Sequence, residues 1–130
     1  MTDDNNKDNY EAGIALRRKM WGEAGVERIE QASALNRPFE DLVTESVFGS
    51  LWQRPGLDLR LRSIVTLTAL TALSKPNQLK MHIQGALANG VTVDEIREII
   101  MHTSLYSGIP TGVEAMTAAK EVLGKLGLDS

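Results

Sequence analysis

His82 is the residue of this sequence whose type and setting best suit chemistry. It falls within the apolar stripe of a predicted helix, among Leu79, Ile83 and Ala86. An imidazole surrounded by aliphatic side chains is partly desolvated, which lowers its pKa and lets it exchange a proton near neutrality. The alternative is a core histidine whose nitrogens are hydrogen bonded to a carbonyl or carboxylate, and position alone favours that structural role.

Glu45 is a second candidate for proton transfer. It lies at the edge of a predicted helix, in line with Phe48, Gly49 and Trp52. A carboxylate bordered by two aromatic rings can serve as an acid or a base. The simpler interpretation is an exposed helical glutamate, and the position by itself favours it.

Three arginines cluster around the start of another predicted helix, namely Arg54, Arg60 and Arg62. Guanidinium groups suit bidentate recognition of carboxylates, and a helix N-terminus adds positive potential. The cluster therefore indicates an anionic ligand or a buried ion pair. For Arg60 a solvated surface position is the simplest explanation.

Two further residues are candidates for a binding cleft. His102 lies near the apolar stripe of a later helix but off its centre, and Tyr106 directly precedes the break at Ser107–Pro110. The tyrosine hydroxyl could therefore face a cleft. Residues in such positions are more often structural than catalytic.

The composition excludes several classes of protein. The chain has 130 residues, a formal net charge of −3 and no cysteine. A nucleic-acid partner is unexpected without a concentrated cationic face, and the lack of cysteine removes disulfides and thiol chemistry. No apolar run approaches the roughly 20 residues that span a bilayer. The polar residues 1–10 resemble neither a secretory signal nor a transit peptide, so we expect a cytoplasmic protein.

Familiar catalytic and cofactor-binding motifs are missing as well. Two histidines twenty residues apart do not form a metal-binding pair. The sequence contains no glycine-rich nucleotide-binding motif and no nucleophile elbow. If this protein is an enzyme, we expect proton transfer and charge stabilisation without a cofactor or a metal ion.

Periodicity and helix-capping signals predict an all-α fold, with one helical domain of six to seven helices over residues 10–130 after a flexible tail at residues 1–9. The predicted helices are Tyr10–Met20, a short one after Gly25, Phe39–Trp52, Leu59–Leu73, one from Ser74–Pro76 to Asn89–Gly90, one from the capping box Thr92–Glu95 to about Tyr106, and Thr111–Leu126.

Two of these helices carry predictions about burial. The third should bury a stripe at three- and four-residue spacing, made of Phe39, Leu42, Val43, Ser46, Val47 and Leu51. The fourth is apolar or threonine nearly all round in its later turns, which is typical of a helix buried at the centre of a bundle or an assembly. With few aromatic residues to fill a core, we also expect packing between subunits in a homo-oligomer.

Several runs of residues, taken together in order and spacing, resemble the carboxymuconolactone decarboxylase family over about Tyr10 to Leu123. They are Tyr10–Gly13 with Arg17, Arg18 and Gly22; Trp52–Asp58 followed by Arg62–Leu67; Leu79–Ile83 with Ala86–Thr92 and Glu95–Glu98; and Tyr106–Pro110.

This resemblance implies the all-α fold of the alkylhydroperoxidase-like (AhpD-like) proteins, assembled into trimers or hexamers. The peroxidase branch of that fold carries a Cys-x-x-Cys pair just before the histidine that matches His82. Lys75 and Gln78 occupy those two positions here, so thiol peroxidase activity is excluded on chemical grounds.

The resemblance also implies an activity and roles for the candidate residues. The reaction is loss of CO2 from γ-carboxymuconolactone, a small anionic lactone, to the enol-lactone of β-ketoadipate in protocatechuate breakdown. His82 would be the general acid, and Glu45 its orienting carboxylate or a second proton carrier. The remaining candidates would bind or enclose the substrate: Arg54 and Arg62 its carboxylate or the oxyanion, Trp52 and Tyr106 the pocket walls, and His102 as a lower-ranked candidate.

The sequence departs from the family pattern at two positions. Gly49-Ser50 stands where many of these decarboxylases have Gly-Glu, and His82-Ile83-Gln84 stands where they often have an arginine in third place. These departures favour, as an alternative, a sister enzyme that acts on another small unsaturated acid. The other alternative is a non-catalytic helical protein whose buried histidine is structural.

Overall fold

The computed structural model describes residues 2–129, with side chains from residue 5 onward, and all of its regular elements over this range are helical. The all-α fold class is thereby confirmed. The α-helices of these residues are α1 (Thr2–Trp21), α2 (Glu23–Glu30), α3 (Arg37–Val43), α4 (Leu59–Ala72), α5 (Pro76–Ala88), α6 (Val93–Ser107) and α7 (Ile109–Lys125). No helix within this range is both long and apolar enough to cross a bilayer.

The chain forms two compact units, the first ending at Asp58 and the second beginning at Leu59. The first contains α1 to α3, then a π-helical turn over Thr44–Phe48 and a 3-10 turn over Leu51–Gln53. The second contains α4 to α7. The single domain over residues 10–130 stays a prediction.

Local sequence signals account well for the second unit, where the observed bounds of α4 to α7 lie within a few residues of those predicted. The capping box is confirmed: Glu95 N donates to Thr92 Oγ1, and Thr92 N donates to Glu95 Oε1, each at 3.0 Å. Gly90 follows α5 with a φ of 94°, the left-handed conformation that glycine allows after a helix. The core residues of this unit are Leu67, Leu79, Ile83, Ala86, Val91, Ile96, Ile100, Ala115, Ala118, Ala119, Val122 and Leu123.

Helix α4 is not buried all round within this chain. It buries one face, formed by Ser63, Leu67 and Thr71. Val65, on another face, is 57% exposed. The prediction of a helix at the centre of a bundle is therefore wrong for the chain, because α5 to α7 cover only part of its circumference. The alternative of burial in an assembly stays a prediction.

Helix α1 begins at Thr2, earlier than the predicted start at Tyr10. Leu16 and Met20 anchor the helix by burial. Once a helix is nucleated, each added residue contributes a hydrogen bond, so polar residues extend it without being buried themselves. Met1 lies outside the described residues, and the flexibility of the tail stays a prediction.

The prediction of one continuous helix over Phe39–Trp52 is wrong. Helix α3 ends at Val43, and the next turn is wider, because the amide of Gly49 donates to the carbonyl of Thr44 at 2.8 Å, five residues back. The Leu51–Gln53 turn then follows. Periodicity does not reveal such an inserted residue, since it alters backbone hydrogen bonding without changing residue types.

The predicted apolar stripe of this segment is buried only in part, since Val43 and Val47 are half-buried and its other members are exposed. Phe39, Leu42 and Leu51 are 61%, 57% and 50% exposed. The face that turns inward instead carries residues at four-residue spacing, two of them polar: Glu40, Thr44, Phe48 and Trp52.

The contacts of Arg17 explain why this face of the segment turns inward. The side chain of Arg17 is buried, and such a charge requires partners that satisfy it. Its Nη2 lies 3.2 Å from Glu40 Oε1, its Nη1 donates to Thr44 Oγ1 at 3.3 Å, and its Nε donates to the Gly25 carbonyl at 2.9 Å. The guanidinium carbon lies 5.9 Å from the centre of the Phe48 ring.

Two glycines let α1 approach this segment closely. A Cβ at Gly13 would overlap the carbonyl oxygen of Thr44, and a Cβ at Gly49 would overlap the carbonyl oxygen of Asn9. Both obstacles are backbone atoms, which cannot move aside as the end of a flexible side chain can.

We expect Gly13→Ala to destabilise the protein by about 1–3 kcal/mol, the usual cost of overpacking. Urea unfolding followed by circular dichroism measures the change. Gly124→Ala is the control, because a Cβ at this helical glycine meets nothing within 4 Å and should leave stability equal or raise it. Equal stability of Gly13→Ala and wild type would contradict the close approach.

Candidate functional site

His82 lies on α5 and is half-buried. Its neighbours Leu79, Ile83 and Ala86 are buried in the core of the second unit. This burial lowers the pKa of His82 from 6.5 to about 4, because desolvation disfavours the imidazolium. This direction of the pKa shift agrees with the prediction, but a pKa of about 4 does not agree with the expectation that the ring exchanges a proton near neutrality in the free protein.

The lowered pKa determines what this imidazole can do. At neutral pH the ring is neutral in the free protein, so one nitrogen can accept a proton. A nearby anion favours the imidazolium and raises the pKa of such a ring. His82 is therefore suited to taking up a proton when an anionic ligand binds beside it.

Glu45 belongs to the first unit, where it is the second residue of the π-helical turn. It is half-buried. The aromatic residues expected beside it pack against each other, with the ring centres of Phe48 and Trp52 5.7 Å apart. Trp52 is buried, so its ring belongs to the packing of this unit, and its part in binding a ligand stays a prediction.

The three arginines have different surroundings. Arg54 follows the 3-10 turn as an exposed residue with extended backbone. Arg62 lies one turn into α4 and is half-buried. Arg60 Nη2 contacts Glu95 Oε2 of the capping box, so Arg60 takes part in an ion pair and is not merely solvated.

His102 and Tyr106 lie together on α6, as their spacing of one helical turn requires. Their rings stack with centres 5.1 Å apart and planes inclined by 24°. Tyr106 is 84% exposed. Both rings line an open hollow of about 360 Å³. Its other lining residues are Thr68, Ala72, Thr103 and Ser107.

Within the second unit, the structure thus brings His102 and Tyr106 together but does not place His82 or Arg62 in the lining of their hollow. Sequence reasoning missed the hydroxyl-bearing residues of this hollow. Thr103 and Ser107 are spaced four residues apart on α6, and this spacing is the signal that could have identified them.

Sequence reasoning also missed Glu40 and Thr44 as partners of a buried charge in the first unit. Their spacing of four residues, continued by Phe48, was the available signal.

With regard to metals, no group of three or more His, Cys, Asp or Glu side chains in the described part of the chain is arranged to hold an ion.

Known proteins resemble this chain over most of its length. The model of the carboxymuconolactone decarboxylase family matches residues 37–121. The 4-carboxymuconolactone decarboxylase of Acinetobacter baylyi is 38% identical over 125 residues, which is 95% of this chain and 93% of that protein. The nitrosuccinic acid decarboxylase npaB of Metarhizium robertsii is 36% identical over 118 residues, which is 90% of this chain and 82% of that protein.

We expect the His82 imidazole to titrate with a midpoint at about 4 in an NMR titration. The unfolded chain protonates this ring near its ordinary value of about 6.5. Since the unfolded state then binds more protons, the free energy of unfolding should fall as the pH is lowered from 6.5 towards 4.

The His82→Gln variant serves to assign the imidazole signal and should lack this contribution to the pH dependence of stability. A midpoint near 6.5 for His82 would contradict the burial of the ring.

Proposed function

Because the chain belongs to the carboxymuconolactone decarboxylase family, we propose that it is a carboxy-lyase that converts γ-carboxymuconolactone to the enol-lactone of β-ketoadipate and CO2. This reaction would serve the breakdown of protocatechuate, an aromatic acid. The observation that carries the proposal is the half-buried imidazole of His82 on the apolar face of α5, in a chain similar to a 4-carboxymuconolactone decarboxylase over nearly its full length.

The proposed reaction needs no cofactor, because the substrate supplies its own electron sink. The carboxylate leaves a carbon next to a double bond that is conjugated with the lactone carbonyl. When the carbon–carbon bond breaks, its electron pair delocalises through the double bond onto the carbonyl oxygen, and CO2 departs. The protein's part is to hold the carboxylate in an apolar region, to stabilise the dienolate oxygen and to deliver a proton.

His82 is the proton donor in this scheme. The bound substrate anion raises the pKa of the ring from about 4, and the ring takes up a proton from solvent. It passes this proton to the carbon next to the lactone carbonyl, which restores the neutral imidazole. Each CO2 released thus consumes one proton, and positioned proton transfer of this kind contributes typically about 10²–10⁴-fold to a rate.

Glu45 orients the His82 imidazole or acts as a second proton carrier. Its half-buried position in the π-helical turn supports this role, because such turns inside helices occur frequently at functional sites. A carboxylate that accepts a hydrogen bond from one ring nitrogen fixes which nitrogen can donate to the substrate.

The other candidate residues bind and enclose the substrate. Arg54 and Arg62 bind its second carboxylate or the developing oxyanion, for which the planar guanidinium is well suited. Trp52 is assigned a wall of the pocket, although its buried ring packs against Phe48. Tyr106 also shapes the pocket and His102 is the lower-ranked contributor; an open hollow lies beside their stacked rings, and His82 and Arg62 are not among its lining residues.

We expect His82→Ala to lower kcat for CO2 release from γ-carboxymuconolactone at least about 100-fold, since the proton donor is lost. CO2 release by metal-free protein measures the rate, and circular dichroism checks that the helices are retained. Asn77→Ala is the matched control, because Asn77 is an exposed residue of the same helix. An equal kcat for His82→Ala and wild type would remove the assignment.

A second candidate function is decarboxylation of another small acid. The similarity to a nitrosuccinic acid decarboxylase favours it, and so do Ser50 and Gln84, which replace a carboxylate and a guanidinium common in the family. The chemistry is related, since a nitro group next to the breaking bond accepts the electron pair as a lactone carbonyl does. The kcat/KM values for the two acids on the same preparation discriminate between the functions: a higher value for nitrosuccinate would favour the second.

The finer features of the proposal are a cytoplasmic location and a homo-oligomer, either a trimer or a hexamer. Exposed apolar side chains support the oligomer. In the first unit they include Phe39 and Leu42, and in the second Val65 and Leu105. Monomeric proteins rarely leave large contiguous apolar patches exposed, so these side chains support an interface where they adjoin one another.

Native mass spectrometry should give the mass of three or six 14.2 kDa chains. Val65→Lys should lower that mass, because a charge on an apolar face of α4 opposes its burial. Thr117→Lys, an exposed position on α7, should leave the mass unchanged. A monomeric wild type at micromolar concentration would contradict the proposed assembly.

A further inference from the structure

The buried guanidinium of Arg17 has no part in the proposed reaction. Its side chain is 5% exposed, and that of its partner Glu40 is 8% exposed. Burying such a pair is costly, and it often adds little net stability compared with packed apolar residues. In some proteins, however, buried polar or ionic groups fix the register of packed helices, and the contacts of Arg17 identify the elements that it could hold in register.

The Arg17 guanidinium interacts with three residues of the segment that carries the π-helical turn, namely Glu40, Thr44 and Phe48. Nη1 donates to Thr44 Oγ1 at 3.3 Å, and Thr44 is the first residue of that turn. The same hydroxyl donates to the Glu40 carbonyl at 2.7 Å. Phe48, over whose ring the guanidinium lies, is the last residue of the turn. Arg17 therefore contacts both ends of the turn.

Helix α1 also contacts the backbone of the turn. The Thr44 carbonyl accepts the bond from Gly49 that makes the turn wide, and Gly13 of α1 packs against the same oxygen. Gly13 and Arg17 are one helical turn apart, so they lie on the same face of α1. The same face of α1 therefore contacts both the side chain and the carbonyl oxygen of Thr44.

The width of this turn determines where Glu45 points. Each residue of an α-helix rotates the chain by about 100°, so an inserted residue redirects the side chains around it. Glu45 lies directly after Thr44, inside the widened turn. If the turn reverted to regular α-helix, the carboxylate of Glu45 would change direction while the residue stayed in the same segment.

We infer that Arg17 is a positioning residue, whose buried contacts with Glu40 and Thr44 hold the π-helical turn and thereby set the direction of the Glu45 carboxylate. The inference rests on the proposed function, because it acts through the role assigned there to Glu45. It adds a requirement that lies outside the reacting groups: the guanidinium must bridge two side chains, which the single ammonium of lysine cannot do in the same geometry.

The first test measures the turn itself. Arg17→Lys should accelerate hydrogen exchange at the Gly49 amide at least about 10-fold, since its bond to Thr44 O is no longer held in place. Arg18→Lys is the matched control, because Arg18 is the next residue of α1 and contacts Glu23 at the surface. Unchanged exchange at Gly49 in Arg17→Lys would overturn the inference.

The second test measures whether Arg17 acts through Glu45. With the acid that the wild type decarboxylates, Arg17→Lys should lower kcat about 10-fold or more and leave KM within about threefold. In a Glu45→Gln background the same substitution should change kcat less than about twofold, because the carboxylate it positions is absent. Equal kcat losses in both backgrounds would overturn the inference and indicate a general structural effect.

Thr44→Val provides a second variant in case Arg17→Lys does not fold. It keeps the size of the side chain, removes the hydroxyl that accepts from Arg17, and should give the same pattern in both measurements. If the wild type is active and both variants keep the wild-type kcat, the positioning role of Arg17 is overturned and the proposed function is not affected. No CO2 release by the wild type from either acid would overturn the proposed function, and this positioning role in catalysis with it.

Discussion

The requirement that a buried positive charge be satisfied determines the organisation of the first unit. Arg17 is enclosed, and the groups that can accept its hydrogen bonds are the Glu40 carboxylate, the Thr44 hydroxyl and the Gly25 carbonyl. An unpaired guanidinium in the interior would cost more free energy than exposing several aliphatic side chains. The segment after α2 therefore turns Glu40 and Thr44 inward and leaves the apolar Phe39 and Leu42 at the surface.

The second unit meets a different constraint, because it holds an ionisable ring against an aliphatic core. The His82 ring is largely removed from water on a helix whose Leu79, Ile83 and Ala86 belong to the core, and this desolvation lowers the pKa of the ring to about 4. The same apolar surroundings suit decarboxylation, in which a charged carboxylate becomes neutral CO2 and the charge moves to another part of the molecule. A neutral imidazole that gains its proton only beside an anion would couple substrate binding to proton uptake.

Similarity to decarboxylases of two different acids indicates what is general in this scaffold. A lactone carbonyl and a nitro group both accept the electron pair left behind by CO2, so the hard part of the chemistry belongs to the substrate. In the proposed mechanism the protein contributes desolvation, anion binding and a proton. Under the proposed function, substrate choice depends on the polar groups around the reacting carbon, and Ser50 and Gln84 are the departures from the common family pattern.

Much of the fold could be predicted from local sequence signals. The capping box at Thr92 and Glu95, the glycine after α5 and the periodicity of α4 to α7 act over one or two turns, so they locate these helices without any knowledge of their neighbours. The partly desolvated His82 followed from the same kind of information, since the residues around it on one helix face are apolar. The resemblance to the family rests on runs of residues and is also independent of tertiary contacts.

The inward face of α3, the inserted residue of the π-helical turn and the stacking of His102 on Tyr106 were decided only in the folded chain. Arg17 meets Glu40 and Thr44 across 23 and 27 residues of sequence, and no periodicity within α3 carries information about that distant charge. The sequence by itself therefore determined which segments are helical and which residue types could transfer a proton. The tertiary structure decided which faces are buried, because burial depends on the free energy of contacts between segments that are far apart in the chain.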